Sequence, residues 1–253
     1  LIPIWNEKQL TFALGVGWPN PNRSHFMAMD QWSTGKESGI GEGWLAKISD
    51  EINNDKYLLS LGPTGSNAIE GSNVNSLHFL GKEKNSFSNS SYISKEILKN
   101  RNSLKTFLEI DQFSTKKIMD LKNNLKKLPS NINRPKGQLS KQTATALQII
   151  NTASPPTFIQ MELGGFDTHQ NQIIRQNKLL KELSENIFFL KNGADKLNKN
   201  IDLNIVVTSE FGRRLRENGT NGTDHGSASV ALIIGNAFDE KFIGEYPNLK
   251  NLD

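Results

Sequence analysis

Short continuous apolar runs alternate with stretches in which apolar residues recur every three or four positions, a pattern of buried strands interleaved with amphipathic helices. Residues 11–16 (Thr-Phe-Ala-Leu-Gly-Val) predict a strand, and Gly17, Pro19 and Pro21 predict the loop after it. A helix then opens at Ser24, with Phe26, Met29 and Trp32 three residues apart and Gly35 as its stop. A second helix is expected over 43–53, carrying Trp44, Leu45, Ile48 and Ile52 on one face, and short strands over 57–61 and 77–80. Residues 81–93 are rich in Ser, Asn, Lys and Gly and read as a surface connection. The segment 94–127 is mostly helical in pattern, 129–138 breaks that pattern at Pro129 and Pro135, and 142–151 predicts another helix. Residues 81–138 are thus expected to form a helical insertion or cap within a single domain.

The last hundred residues constrain the topology most. A strand is expected over 157–163, a long amphipathic helix over 173–200 through Ile173, Leu180, Leu183, Ile187, Leu190, Ala194 and Leu197, and a continuously apolar strand over 203–208. Strand, long helix and strand in succession form a βαβ crossover, so the two strands should lie parallel in a sheet covered on both faces. Residues 209–227 have too little apolar periodicity for another crossover helix, so the strand expected at 229–234 should return antiparallel. The fold class is α/β with a mostly parallel sheet.

Composition narrows the function classes. The 253 residues are 36% hydrophobic and 22% charged, ordinary for a globular chain, and no run approaches the roughly 18 apolar residues of a membrane span. Thirty Lys and Arg against 26 Asp and Glu leave a net charge of +4, dispersed among acids and asparagines, which gives no support to nucleic-acid binding. The densest basic run, Lys116, Lys117, Lys122, Lys126 and Lys127, reads as a solvated helix face. With no cysteine present, disulfides and thiolate chemistry are excluded, and any metal must use His, Asp or Glu.

The candidate chemistry follows from the topology. The first late strand runs into Gly164-Gly165-Phe166-Asp167-Thr168-His169 and the second into Ser209-Glu210-Phe211-Gly212-Arg213, both leaving the carboxyl edge where open α/β folds place ligands. An antiparallel third strand puts its leading Thr223-Asp224-His225-Gly226 at the same edge. Three carboxylates brought together repel by about 4 kcal/mol per pair at 4 Å in an effective dielectric of 20, so a positive charge must share the site. Arg213, Arg214 and Arg216 are candidates for that charge. Two imidazoles with carboxylates also form a ligand set suited to zinc, manganese or iron.

Plainer readings stand beside these. An isolated Asp-x-His or Asp-His pair is more often a turn or helix cap than a metal site, and it is the two together, with Glu210 after an apolar strand, that favour a metal. Asn218-Gly219 and Asn221-Gly222 read as turns, and His78, on a strand-like run away from carboxylates, reads as a packed core histidine. Ser24 is in the first instance an N-cap. As a serine at a helix N-terminus it is also a candidate nucleophile, favoured by the dipole and by a metal able to deprotonate it.

Taken together, Ser24-His25-Phe26 with Asp30, Trp32 and Gly35, Gly43-Trp44-Leu45, Gly165-Phe166-Asp167-Thr168-His169, Ser209-Glu210-Phe211-Gly212-Arg213 and Gly222-Thr223-Asp224-His225-Gly226 resemble the DUF1501 family, bacterial proteins assigned to the alkaline phosphatase and sulfatase superfamily. The resemblance implies a three-layer α/β/α sandwich with a metal site at the carboxyl edge of the sheet. It implies that Asp167 and His169 hold one metal, that Asp224 and His225 supply later ligands, and that Glu210 stands where many members have the Asp of a Ser-Asp-His-Gly signature. Ser24 falls where the motif order puts the nucleophile, with His25 beside it and Arg213 placed to hold substrate oxygens. Relatives usually begin with an Arg-Gly-Gly-Ala-Asp-Gly-like loop and continue beyond Gly244-Glu245-Tyr246-Pro247. The chain is therefore expected to be a fragment lacking both ends, with a central strand and a metal ligand missing. Twin-arginine export signals in full-length relatives imply a periplasmic or exported parent.

The expected function is a metal-dependent hydrolase or transferase acting on phosphate or sulfate esters of a small molecule or polymer, with a divalent cation, zinc before manganese or iron, as cofactor. The rival expectation is a non-catalytic exported binding or assembly protein that retains the fold.

Overall fold

A computed structural model describes residues 1–22, 24–52, 57–79, 101–197 and 201–248. The chain opens with a short helix α1 (Ile2–Asn6), then β1 (Leu10–Gly17), α2 (His25–Thr34), α3 (Trp44–Glu51), β2 (Leu58–Ser60), a 3-10 turn (Asn67–Ile69) and β3 (Ser76–His78). After the undescribed stretch come α4 (Asn102–Asn124), α5 (Leu139–Ile150), β4 (Ile159–Gln160), α6 (Gln172–Lys196) and β5 (Ile205–Val207). The chain continues through β6 (Gly212–Glu217), β7 (Thr223–Gly226), β8 (Ala228–Ile234) and β9 (Phe242–Ile243). The architecture is mixed α/β. The expected connection at 81–93, and the parts of neighbouring expectations that reach residues 53, 80, 94–100 and 198–200, lie outside the described residues.

Local signals act as read. Gly35 adopts the left-handed conformation (φ 64°) and bonds its N–H to Gln31 O, which ends α2. Prolines 129 and 135 separate α4 from α5. Of the basic run, Lys116, Lys126 and Lys127 are exposed, while Lys117 and Lys122 are half-buried.

Two apolar cores meet at α6. Leu147, Ile149 and Ile150 of α5 pack against Phe189, Leu190 and Ala194 of α6 and against Leu59 and Leu77 of the parallel sheet β3-β2-β4. The helices approach closely because position 193 is glycine: a Cβ there would stand 2.4 Å from Leu147 Cδ2. Their buried contact is also polar, since Thr143 Oγ1 donates to Asn186 Oδ1 at 2.7 Å, and Glu182 of α6 accepts the Leu139 N–H at the start of α5. On its other flank α6 places Ile187 in a second core with Ile4, Leu10 and Ile234, beneath the sheet β5-β8-β1-β9. Ile205 packs against both cores.

The return of β8 is antiparallel to β5, with Val206 opposite Ile233, as the short connection demands. β4 and β5, however, do not share a ladder. β4 pairs in parallel with β2 through Leu59 and Ile159, while β5 pairs with β8; among the described residues their other edges are unpaired. The separation follows the long helix between them: α6 buries Phe189, Leu190 and Ala194 in the core of the parallel sheet and Ile187 in the core of the other sheet, and the strands before and after it end in different sheets. A second finding concerns residues 209–227, expected only to lack a crossover helix and to turn at the Asn-Gly pairs. They contain the antiparallel hairpin β6–β7, whose strands Gly-Arg-Arg-Leu-Arg-Glu and Thr-Asp-His-Gly carry almost no apolar signal. His78 is a third: it is an exposed residue at the end of β3, with its Nε2 bonded to Gly62 O, and not packed in the core.

Candidate metal centre

Four separate segments deliver side chains to one point. His25 begins α2, Asp167 and His169 lie on the loop between β4 and α6, Glu210 lies between β5 and β6, and Asp224 and His225 belong to β7. Asp167 is the hub. Its Oδ1 is 2.8 Å from both His169 Nε2 and His225 Nε2, and its Oδ2 is 3.4 Å from His25 Nε2. His169 reaches back through Nδ1 to Asp224 Oδ1 at 3.5 Å, and His25 through Nδ1 to Glu210 Oε1 at 3.2 Å. All five residues expected as metal ligands, together with His25, therefore belong to one connected network.

Within that network the positions differ. One donor atom each from His25, Asp167 and His225 lie within 4.8 Å of one another, close enough to share a cation. Two nitrogens and a carboxylate oxygen form a borderline donor set that fits zinc, manganese or iron. His169 lies at the margin of this trio through Asp167. Glu210 and Asp224 each meet the cluster through an imidazole Nδ1, the position of outer carboxylates that fix the tautomer and ring plane of a metal-binding histidine. Sequence reading missed the place of His25 because an imidazole at a helix start, 185 residues from Glu210, carries no local signal of its partner.

Ring contacts hold the imidazoles in place. His225 stacks on Phe211 with centroids 4.1 Å apart and meets His25 edge to face at 4.7 Å. The guanidinium of Arg213 also lies over the Phe211 ring, 5.0 Å from its centre. Arg213 Nη1 donates to Thr223 O at 2.6 Å, and Nη2 donates to Phe166 O and Thr168 Oγ1. Nη1 and Nη2 of Arg213 are thus directed at β7 and at the loop that carries Asp167.

The Asn-Gly pairs also do more than turn the chain. Thr220 Oγ1 and Asn218 Nδ2 donate to His169 O, while Thr220 O and Asn221 O accept the N–H groups of Asn171 and Gln172 at the start of α6. The hairpin turn thus caps that helix and braces the His169 loop. Gly222 permits the approach, since a Cβ there would lie 2.3 Å from His169 O.

Electrostatics follow from this arrangement. Partial burial pushes the Asp167 carboxyl upward, but the hydrogen bond from His225 and the charges of His169, His25 and His225 outweigh it and hold the group below its ordinary value. Burial lowers Arg213, opposed by Asp167 and Asp224. Ser24 sits at the N-cap of α2 with extended backbone, exposed, and its side chain makes no capping bond. The Asn22 carboxamide instead accepts the Ser24 N–H at 2.8 Å.

Residues 11–250 match the family described as "Protein of unknown function (DUF1501)", which covers nearly the whole chain, and the protein belongs to that family. No curated protein and no solved structure matches the chain.

Proposed function

We propose that the protein is a metal-dependent hydrolase or transferase of phosphate or sulfate esters. The observation that supports this reading is the gathering of His25, His169 and His225 around Asp167 from segments far apart in the chain. A structural histidine needs one satisfied partner; three imidazoles sharing one exposed carboxylate make an arrangement suited to a cation.

His25, Asp167 and His225 would hold the ion, with His169 beside them. Bound there, a divalent cation would supply Lewis acidity that stabilises negative charge on an ester oxygen. Glu210 accepts the Nδ1 proton of His25 and sets that ring's orientation. Asp224 does the same for His169, and Arg213 ties the Asp167 loop to β7. Ser24, one residue from His25, has a hydroxyl not engaged in capping and stands at the positive end of α2, which favours its role as nucleophile.

Elemental mass spectrometry on the purified protein and on Asp167→Ala and His225→Ala tests the metal, and release of phosphate or sulfate from a panel of mono- and diesters tests the chemistry. Stoichiometric zinc, manganese or iron that is lost in both variants, with ester hydrolysis lost in parallel, is the expected result. A protein that binds metal fully but turns over none of the esters would instead be a binding protein built on this fold.

A further inference from the structure

The three imidazoles around Asp167 are not oriented in the same way. His25 has Glu210 at its Nδ1 and His169 has Asp224 at its Nδ1. His225 has one hydrogen bond, between its Nε2 and Asp167 Oδ1 at 2.8 Å, and no partner at Nδ1 among the described residues. A histidine that ligates through one ring nitrogen is ordinarily fixed by a hydrogen bond at the other. At His225 a ring stands there instead: the Phe211 plane is tilted 18° from that of His225, with the centroids 4.1 Å apart.

The backbone explains why these two rings meet. In the β6–β7 hairpin Arg213 stands opposite His225, and Gly212 opposite Gly226. Side chains alternate across a strand, so Phe211, just before β6, falls on the same face as Arg213 and diagonal to His225. Gly212 takes the other face, where a Cβ would run into Ala228 O of β8. Arg213 closes the group, its guanidinium 5.0 Å from the Phe211 centroid while Nη1 donates to Thr223 O on the strand of His225. Phe211 also meets His25, edge to face at 5.3 Å.

We infer that Phe211 is the positioning residue of His225: its ring face takes the place of the outer hydrogen bond and holds the imidazole plane so that Nε2 stays directed at Asp167 and the ion. The inference rests on the metal-centre reading above. An aliphatic side chain at 211 would fill the space but leave the imidazole to turn about its Cβ–Cγ bond, because no bond at Nδ1 opposes that rotation. His169, fixed at Nδ1 by Asp224, does not depend on residue 211 in this way.

The test compares the unaltered protein with Phe211→Leu, which keeps apolar bulk, and Phe211→Tyr, which keeps the ring. In the metal-free proteins, side-chain NMR on isotopically labelled histidine reads the conformations of each imidazole. His225 should hold one conformation in the unaltered protein and in Phe211→Tyr and average between several in Phe211→Leu, with His169 unchanged throughout. With cobalt(II) or zinc(II) added, Phe211→Leu should bind about ten-fold more weakly and Phe211→Tyr within about three-fold of the original, and the visible cobalt bands should change only in Phe211→Leu. An unaltered protein in which His225 already averages overturns the inference whatever the variants do. So does a Phe211→Leu protein in which His225 stays ordered, or in which His169 loosens equally, since Phe211 would then support the fold alone. The two readings fail separately: an unaltered protein that takes up neither ion removes the metal centre while the metal-free NMR still decides Phe211, and full uptake with unchanged affinity and His225 order in Phe211→Leu removes Phe211 while keeping the metal centre.

Discussion

His25 Nδ1 lies 3.2 Å from Glu210 Oε1, joining the first residue of α2 to the loop that leaves β5. A carboxylate accepts, so in the proposed metal centre Nδ1 carries the proton and Nε2, turned toward Asp167, is the ligand atom. In that proposal Glu210 tunes a ligand. Replacing it with alanine should weaken metal binding about 10- to 100-fold, the usual range for such outer partners, measured by competition with a chelator of known affinity. Unaltered affinity in Glu210→Ala would remove this role.

The depressed Asp167 carboxyl gives a signed pH dependence. A group whose folded pKa lies below its unfolded one contributes stability that is complete above the unfolded value and is lost as pH falls through the folded value. Metal-free protein should therefore lose this contribution only on the acid side of the ordinary 3.8. Carboxyl-carbon NMR should show Asp167 titrating below that value. In His225→Ala the midpoint should move upward, because the hydrogen bond to the ionised form is gone. A midpoint that stays put would mean that the His225 contact contributes nothing.

A nucleophilic Ser24 has two consequences that a cap alone lacks. Turnover in Ser24→Ala should fall on the order of 10³-fold or more. Intact-peptide mass spectrometry of rapidly quenched protein should find phosphate or sulfate attached at residue 24. Turnover within three-fold of the original would transfer the attack to water.

Arg213→Lys separates positioning from substrate binding. Lysine cannot reproduce the planar fork that reaches Thr223 O, Phe166 O and the Phe211 face together. At least one part-buried carbonyl loses its partner, so denaturant titration should show a loss of about 0.5–1.5 kcal/mol, the usual net worth of a hydrogen bond. A raised KM with unchanged stability would restore the substrate-binding role first expected of this residue.

The apolar pattern disclosed β1, the helix that stops at Gly35, the long α6 and the strand β8 because each of these buries one face against a neighbour, and burial recurs at the period of the element. The antiparallel return of β8 followed from chain length alone: residues 209–227 hold no helix to carry a parallel crossover. The hairpin β6–β7 escaped notice for the same reason in reverse, since its strands are polar and held by ladder bonds and by Arg213, none of which has a sequence period.

What the sequence by itself determined was which residue types arrive at the carboxyl edge: Asp167, His169, Glu210, Asp224 and His225 all follow or precede apolar strands. Only the tertiary structure decided their ranks. It brought His25 beside Asp167 and His225, set Glu210 and Asp224 against imidazole Nδ1 atoms, and turned Arg213 toward carbonyls. It also placed β4 and β5 in different sheets. The physical reason is common to all of these: a strand or helix is selected by neighbours one to four residues away, whereas which atom of a side chain meets which partner depends on contacts between segments as distant as His25 and Glu210, and these exist only once the cores around α6 have formed.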